Sequence, residues 1–324
     1  MNAPALRAPF PYFGGKGRAS DVAWGALGRV NNYVEPFFGS GAVLLSRPRE
    51  TWAEPDAPGT ETVNDASRFL ANFWRAVAHA PDEVAAGCDW PVNEADLHAR
   101  HKWLVRRLPE LAALLDADPD AFDAKVAAWW CWGACAWIGT GWCDEVRERR
   151  PGHPPEQLPH MGDAGQGIHR KLPHMGDAGR GLQDYFAALS ARLRRVRVAC
   201  GDWSRVTGDS VTWRHGVTGV FLDPPYAEGE QQYAAGGTGT DLSTKVRAWA
   251  IEAGKRRDMR VVLAGLEGEH DMPRDWRAVE WKARGGYGSQ REGGGNDNRR
   301  RERLWLSPHC LDATRQPSLF GGAP

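Results

Sequence analysis

Val220-Phe221-Leu222-Asp223-Pro224-Pro225-Tyr226 is the stretch from which the rest of the chain is read. Three apolar residues form a short buried strand. Asp-Pro-Pro-Tyr ends it, because proline has no backbone N–H and two in a row cannot continue a central strand. The carboxylate and the phenol are thereby set just past the strand's carboxyl end, where open α/β sheets bind ligands. Asp223 Oδ and the Pro224 carbonyl are two acceptors for the two N–H bonds of an exocyclic amine. Pro225 keeps the turn rigid, and Tyr226 offers a face for stacking on a planar base. Taken alone, the same residues also read as a solvated turn, so their meaning rests on what surrounds them.

Upstream, Tyr33-Val34-Glu35-Pro36-Phe37-Phe38-Gly39-Ser40-Gly41-Ala42-Val43-Leu44-Leu45 reads as a strand, a Gly-x-Gly turn and an apolar helix start. That is the opening of a nucleotide-binding α/β unit, although the GxGxxG of dinucleotide sites is absent. Glu61 to Asp65 reads as the second strand, ending in an acid 24 residues after Gly41. An acid there suits ribose hydroxyls, and it also suits the N-cap of the helix expected over 66–80. In that helix Phe69, Leu70, Phe73, Trp74 and Val77 form one apolar stripe. Earlier still, Tyr12-Phe13-Gly14-Gly15-Lys16 pairs adjacent glycines with a positive charge, without forming a P-loop. Downstream, Val196 to Trp203 reads as a strand ending in Gly201-Asp202-Trp203. There Asp202 either bonds a donor of the ligand or caps the next turn. Strands over 260–265, 276–281 and 302–306, with a helix over 242–256, complete an alternating α/β pattern.

Between the two α/β stretches the composition changes. Residues 81–145 are helical by pattern, over 97–115 as one or two helices and over 122–137 as another. Trp129, Trp130, Trp132 and Trp137 give the second of these a core reading. Arg100, Lys102, Arg106 and Arg107 give the first a basic character. Leu158-Pro159-His160-Met161-Gly162-Asp163-Ala164-Gly165 recurs as Leu172-Pro173-His174-Met175-Gly176-Asp177-Ala178-Gly179. Two copies cannot make a solenoid, and their Pro and Gly exclude regular structure. Arg170, Lys171 and Arg180 flank these loops. A second basic, Gly-rich stretch over 284–303 includes Arg291 and Arg299 and suits a phosphate grip or a solvated loop.

The chain has 324 residues and no net charge, so any attraction to polyanions must be local. Its length suits about two domains. No 18-residue apolar run and no signal peptide is found, and six sparse cysteines suit a reduced cytoplasm. No metal site is expected: Cys131, Cys135 and Cys143 lack a CxxC pair, and pairing of His160 with His174 is the weaker reading of two loop histidines.

With these residues in place, the order of motifs resembles the Dam-type (D12 class) DNA adenine-N6 methyltransferases, including phage-borne ones. The matching pieces are Tyr12-Phe13-Gly14-Gly15-Lys16, Glu35-Pro36-Phe37-Phe38-Gly39-Ser40-Gly41, Asp65, Gly201-Asp202, Asp223-Pro224-Pro225-Tyr226 and a late loop, Gly285-Gly286-Tyr287-Gly288-Ser289. The resemblance implies a Rossmann-like class I methyltransferase sheet with helices on both faces. It divides the chain into a discontinuous catalytic domain (1–80 and 186–310), an inserted target-recognition domain (81–185) and a tail (311–324). It implies S-adenosyl-L-methionine as cofactor, held by Tyr12, Phe13, Gly15, Lys16, Glu35, Pro36, Phe37, Gly39, Gly41, Asp65, Asp202 and Asp223. Asp223, Pro224, Pro225 and Tyr226 would act on a flipped adenine of double-stranded DNA. Arg106, Arg170, Lys171, Arg180, Arg291 and Arg299 would hold that DNA. A bacterial or phage-infected cytoplasm, no membrane and no obligate protein partner complete the expectation. A cytosine-N4 methyltransferase is the nearest alternative, although Asp223 at the head of the tetrapeptide favours adenine. A silent DNA-binding module on the same fold is the other. Residues 81–185 depart from the family's usual target domain.

Overall fold

The computed structural model describes residues 6–11, 19–118, 120–137, 142–143, 181–225, 239–280 and 301–312. Within them a seven-stranded sheet has the order β3-β2-β1-β4-β5-β7-β6. Its strands are β1 (Asn32–Glu35), β2 (Thr60–Asp65), β3 (Val196–Cys200), β4 (Thr218–Leu222), β5 (Met259–Leu266), β6 (Arg277–Glu280) and β7 (Glu302–Leu306). The first five run parallel. Val34 faces Thr62 on one side and Val220 on the other, and Phe221 faces Val262. β7 reverses against β5, with Ala264 opposite Leu304, and β6 pairs antiparallel to β7.

The mixed α/β class and helices on both faces agree with expectation. The reason is legible in the strands, whose neighbouring residues alternate between two apolar clusters. Tyr33, Phe221, Val262, Ala264, Leu304 and Leu306 belong to one. Val34, Val220, Leu222, Val261, Leu263 and Trp305 belong to the other. The first face is covered by α1 (Ala19–Leu27), α3 (Arg68–His79) and α7 (Leu182–Leu193). The second is covered by α8 (Gly239–Gly254) and by the 3₁₀ turns Trp203–Val206 and Trp213–His215, which fill the place of a helix between β3 and β4.

The expected apolar stripe of α3 is buried in full, from Phe69 to Val77. The helix runs from Arg68, not Ala66, and it is capped by Ser67, whose Oγ accepts the Leu70 N–H. α7 stops at Leu193, just before β3. Between α3 and α7 lie α4 (Pro81–Cys88), α5 (Glu94–Ala117) and α6 (Ala124–Ala136). The segment expected to be one or two helices is the single helix α5, with Pro109 inside it. These helices share one apolar cluster with α3 and α7. The tryptophan-rich helix is core, as its pattern indicates: Trp130 and Trp132 are buried.

Arg100 corrects the reading of α5 as a basic face. It is only 7% exposed, and its guanidinium lies 4.2 Å from the Trp132 ring, 4.7 Å from Trp129 and 5.2 Å from Trp90. A cation enclosed by three indoles is held by their π-faces and is withheld from any phosphate. Lys102 and Arg106 remain exposed on the same helix. All six cysteines are free thiols. Among the described residues no group of three or more His, Cys, Asp or Glu is placed to hold a metal ion, and no helix is long and apolar enough to cross a membrane.

A buried ion network joins the first helical layer to the sheet. Arg47 Nη1 donates to Glu61 Oε1 at 2.9 Å, and both side chains are fully buried. Arg192, from α7, donates to both Glu61 oxygens at 2.6 and 2.8 Å. Arg47 also donates to the Val30 and Thr51 carbonyls. Removing the shared carboxylate strands a buried guanidinium, and such a loss costs about 3–5 kcal/mol. Glu61→Ala is therefore expected to lower unfolding stability by about that amount in urea titrations. A change of a few tenths would show the network to be neutral.

Candidate functional site

In a doubly wound sheet the crevice opens where neighbouring strands send their connections to opposite sides, which here is between β1 and β4. The carboxyl ends of β3, β2, β1 and β4 carry Asp202, Asp65, the Pro36–Gly41 loop and Asp223, in that spatial order. Three strand spacings of about 4.8 Å make this a row roughly 14 Å long.

The Pro36–Gly41 loop is built on two residues of β2. The Gly39 N–H donates to Asp65 Oδ2 and the Ser67 N–H to Asp65 Oδ1, both at 2.9 Å. Asp65 thus ties the loop to the strand end, and the capping role expected for it falls to Ser67. Burial pushes the Asp65 carboxyl up, and the N–H groups of Ser67, Gly39 and Ala66 partly offset that. Asn64 was not foreseen. Its Nδ2 donates to the carbonyls of Pro36 and Gly201, each at 3.0 Å, and its own carbonyl accepts the Phe38 N–H at 2.9 Å. The available signal is an Asn directly before the acid that ends the strand.

Gly41 lies at φ +70°, a left-handed conformation that suits glycine. A Cβ there would stand 2.8 Å from the Phe38 ring. Phe38 packs on Trp74 with ring centroids 4.9 Å apart, and Trp74 Nε1 donates to the Gly39 carbonyl at 3.2 Å. The loop is therefore fixed from three sides before any ligand arrives.

Asp202 accepts the Ser204 N–H at 2.9 Å and the Ser204 hydroxyl through Oδ1, so the capping reading holds for that oxygen. Oδ2 takes no hydrogen bond among the described residues. Beside it Trp203 stacks on Phe37, with centroids 6.2 Å apart and planes at 25°, and meets Trp249 edge-on at 6.2 Å. This half-buried aromatic row links the β1 loop, the β3 end and α8.

Across the crevice Asp223 is half-buried and Pro224 buried. Glu35, at the end of β1, is 2% exposed and accepts the Tyr33 hydroxyl at 2.9 Å. Burial first, and then the Asp223 charge, push its carboxyl well above the ordinary range, while the bonds from Tyr33 and the Leu44 N–H partly offset them. Glu35 faces the α2 segment (Ala42–Leu45), not the solvent. Tyr12, Phe13, Gly15, Lys16, Tyr226, Arg170, Lys171, Arg180, Arg291 and Arg299 lie outside the described residues, as do the repeated loops. Of the expected DNA contacts, Arg106 is described, on the exposed face of α5.

The Glu35 shift has a consequence for stability. The native state keeps this proton in a range where the unfolded chain, titrating near 4.5, has lost it. The unfolded state then binds fewer protons, so stability falls as pH rises above about 4.5 until the native carboxyl has itself titrated. Glu35→Gln keeps the shape and removes the titration. Its stability relative to wild type is expected to increase with pH across that window in thermal melts, and parallel pH profiles would refute the assignment.

The chain matches no protein-family model, and no curated protein matches it.

Proposed function

We propose that the chain is an S-adenosylmethionine-dependent DNA methyltransferase acting on adenine N6. The observation that supports this most is the row of Asp202, Asp65, the Pro36–Gly41 loop and Asp223 along the carboxyl ends of adjacent parallel strands. These are the residues that carry the resemblance in sequence, and the fold brings them to one edge of the sheet. The sheet, five parallel strands extended by an antiparallel pair, is compatible with the class I methyltransferase architecture.

The donor and acceptor chemistry fits the cofactor. Each Asp65 oxygen holds one of its N–H bonds from Gly39 or Ser67, and a carboxylate oxygen has a second lone pair for a ribose hydroxyl. Asp202 Oδ2 is open to a donor on the cofactor's base, and the Phe37–Trp203 stack supplies the apolar wall beside it. The Pro36–Gly41 loop and Lys16 would hold the amino-acid end. When bound, S-adenosylmethionine supplies an electrophilic methyl group.

The chain's own residues prepare the acceptor. Adenine N6 is not reachable inside a duplex, so the base is flipped out. Asp223 and the Pro224 carbonyl accept the two N6–H bonds, which orients the amine and raises the electron density on nitrogen. Tyr226, two residues on, offers the stacking face. Catalysis is then positioning and electrostatics, with no covalent intermediate. The inserted segment would read the target, with Lys102 and Arg106 one helical turn apart on α5 as exposed phosphate contacts.

Tritium transfer from labelled cofactor to DNA, RNA and protein substrates tests the activity, and DNA labelling at adenine is expected. Asp223→Ala should abolish transfer while calorimetric cofactor affinity stays close to wild type. Turnover near wild type in that variant would remove Asp223 from the mechanism. Asp65→Ala should weaken cofactor binding by about 1.5–3 kcal/mol, the usual worth of a charge-assisted bond. Unchanged affinity would leave Asp65 a purely structural latch. Lys102→Ala with Arg106→Ala should weaken duplex binding and flatten its salt slope by up to about two. An unchanged slope would take α5 off the DNA.

A further inference from the structure

At the opposite end of the sheet a cavity of about 370 Å³ lies among Arg49, Trp52, Asp56, Arg192, Arg194 and Arg195. Arg49 and Trp52 belong to the segment leading into β2, and Arg194 and Arg195 lead from α7 into β3. The cavity therefore sits at the amino ends of β2 and β3. Strands of five or six residues separate it by roughly 17–20 Å from the row of acids at their carboxyl ends. Its volume is within the range of small-molecule sites.

The charges in this cavity do not cancel. Arg192 is consumed by Glu61, which Arg47 shares. The side chains of Arg49, Arg194 and Arg195 have no ion pair or hydrogen bond among the described residues, and the guanidinium of Arg49 lies 5.3 Å from the centre of the Trp52 ring. Against these three free cations the lining offers one carboxylate, Asp56. The end of α7 adds roughly half a unit of negative charge, which is too little to balance them. Guanidinium forks with no acceptor of their own among the described residues match the multiple oxygen acceptors of phosphate groups.

From this we infer that the cavity binds a small polyphosphate anion, in a site separate from the methyl-transfer crevice. The terminal phosphates take bidentate bonds from Arg194 and Arg195, and Arg49 closes the site over the Trp52 ring. A nucleoside polyphosphate and inorganic pyrophosphate carry the same recognised group, so both serve as probes.

Calorimetric titration of the full chain with pyrophosphate and with a nucleoside triphosphate tests the site, alongside thermal melts with and without each anion. Both anions are expected to bind and to raise the melting temperature. In the Arg194→Gln, Arg195→Gln double variant, binding should fall about tenfold or more. Both side chains are exposed, so cooperative unfolding should persist. Arg197→Gln with Arg257→Gln removes the same charge from exposed positions outside the cavity and should leave binding unchanged. Equal losses in the two double variants would mean nonspecific attraction and would overturn the proposal. So would absence of binding in the wild type, or a loss confined to duplex DNA, which would make this surface part of a nucleic-acid track.

Discussion

The Gly39 N–H held by Asp65 Oδ2 at 2.9 Å is the contact on which the upper end of this sheet depends. Strand pairing stops at Glu35 and Asp65, and beyond it the backbone groups of the loops lose their ladder partners. Side chains from β2 replace the ladder. Asp65 takes N–H groups from Gly39 and Ser67, and Asn64 gives its amide to the carbonyls of Pro36 and Gly201. The Gly201 N–H returns to the Asp65 carbonyl at 3.1 Å. Three strand ends are thus tied through two adjacent residues. A loop fixed in this way loses little further freedom when a ligand settles on it, and such preorganisation favours binding.

The parts of the fold legible in the sequence were those governed by periodicity. Phe69 to Val77 announced a buried helix face, and Val220 to Leu222 a buried strand, because each pattern has one stable way to hide its apolar atoms. The site acids were legible for a related reason: an acid, a proline or a glycine directly after an apolar run marks a strand end. Interactions between distant segments left no local trace. Nothing near Arg100 says that Trp90, Trp129 and Trp132 enclose it, since one indole comes from the α4–α5 connection and two come from α6. The pairing of Glu61 with Arg47 and Arg192 spans 131 residues on its longer side. Asp65 and Ser67 are both acceptable cap residues, and only the path of the loop decided between them.

The two ends of the parallel strands differ in charge because different chemistry is placed there. The carboxyl ends carry the side chains of Asp65, Asp202 and Asp223, while the amino ends gather arginines from two loops. A chain with no net charge therefore holds two local fields of opposite sign, set apart by the length of the strands. In water such fields fade over about 8–10 Å, so each acts on its own surroundings. Overall neutrality is thus no guide to what either end attracts.

Among the described residues, the order β3-β2-β1-β4-β5-β7-β6 leaves β3 and β6 as the outer strands, each paired on one side. β6 has four residues, with Arg277 and Glu280 at its two ends. β3 has five, carries an exposed Arg197 at its middle and is entered through Arg194 and Arg195. A foreign strand docking on either rim would have to bring its backbone against charged, hydrated side chains over a short ladder. Short and charged borders of this kind discourage edge-to-edge stacking of sheets. Arg194 and Arg195, which border the cavity, thus also place charge at the entry to the outer strand β3.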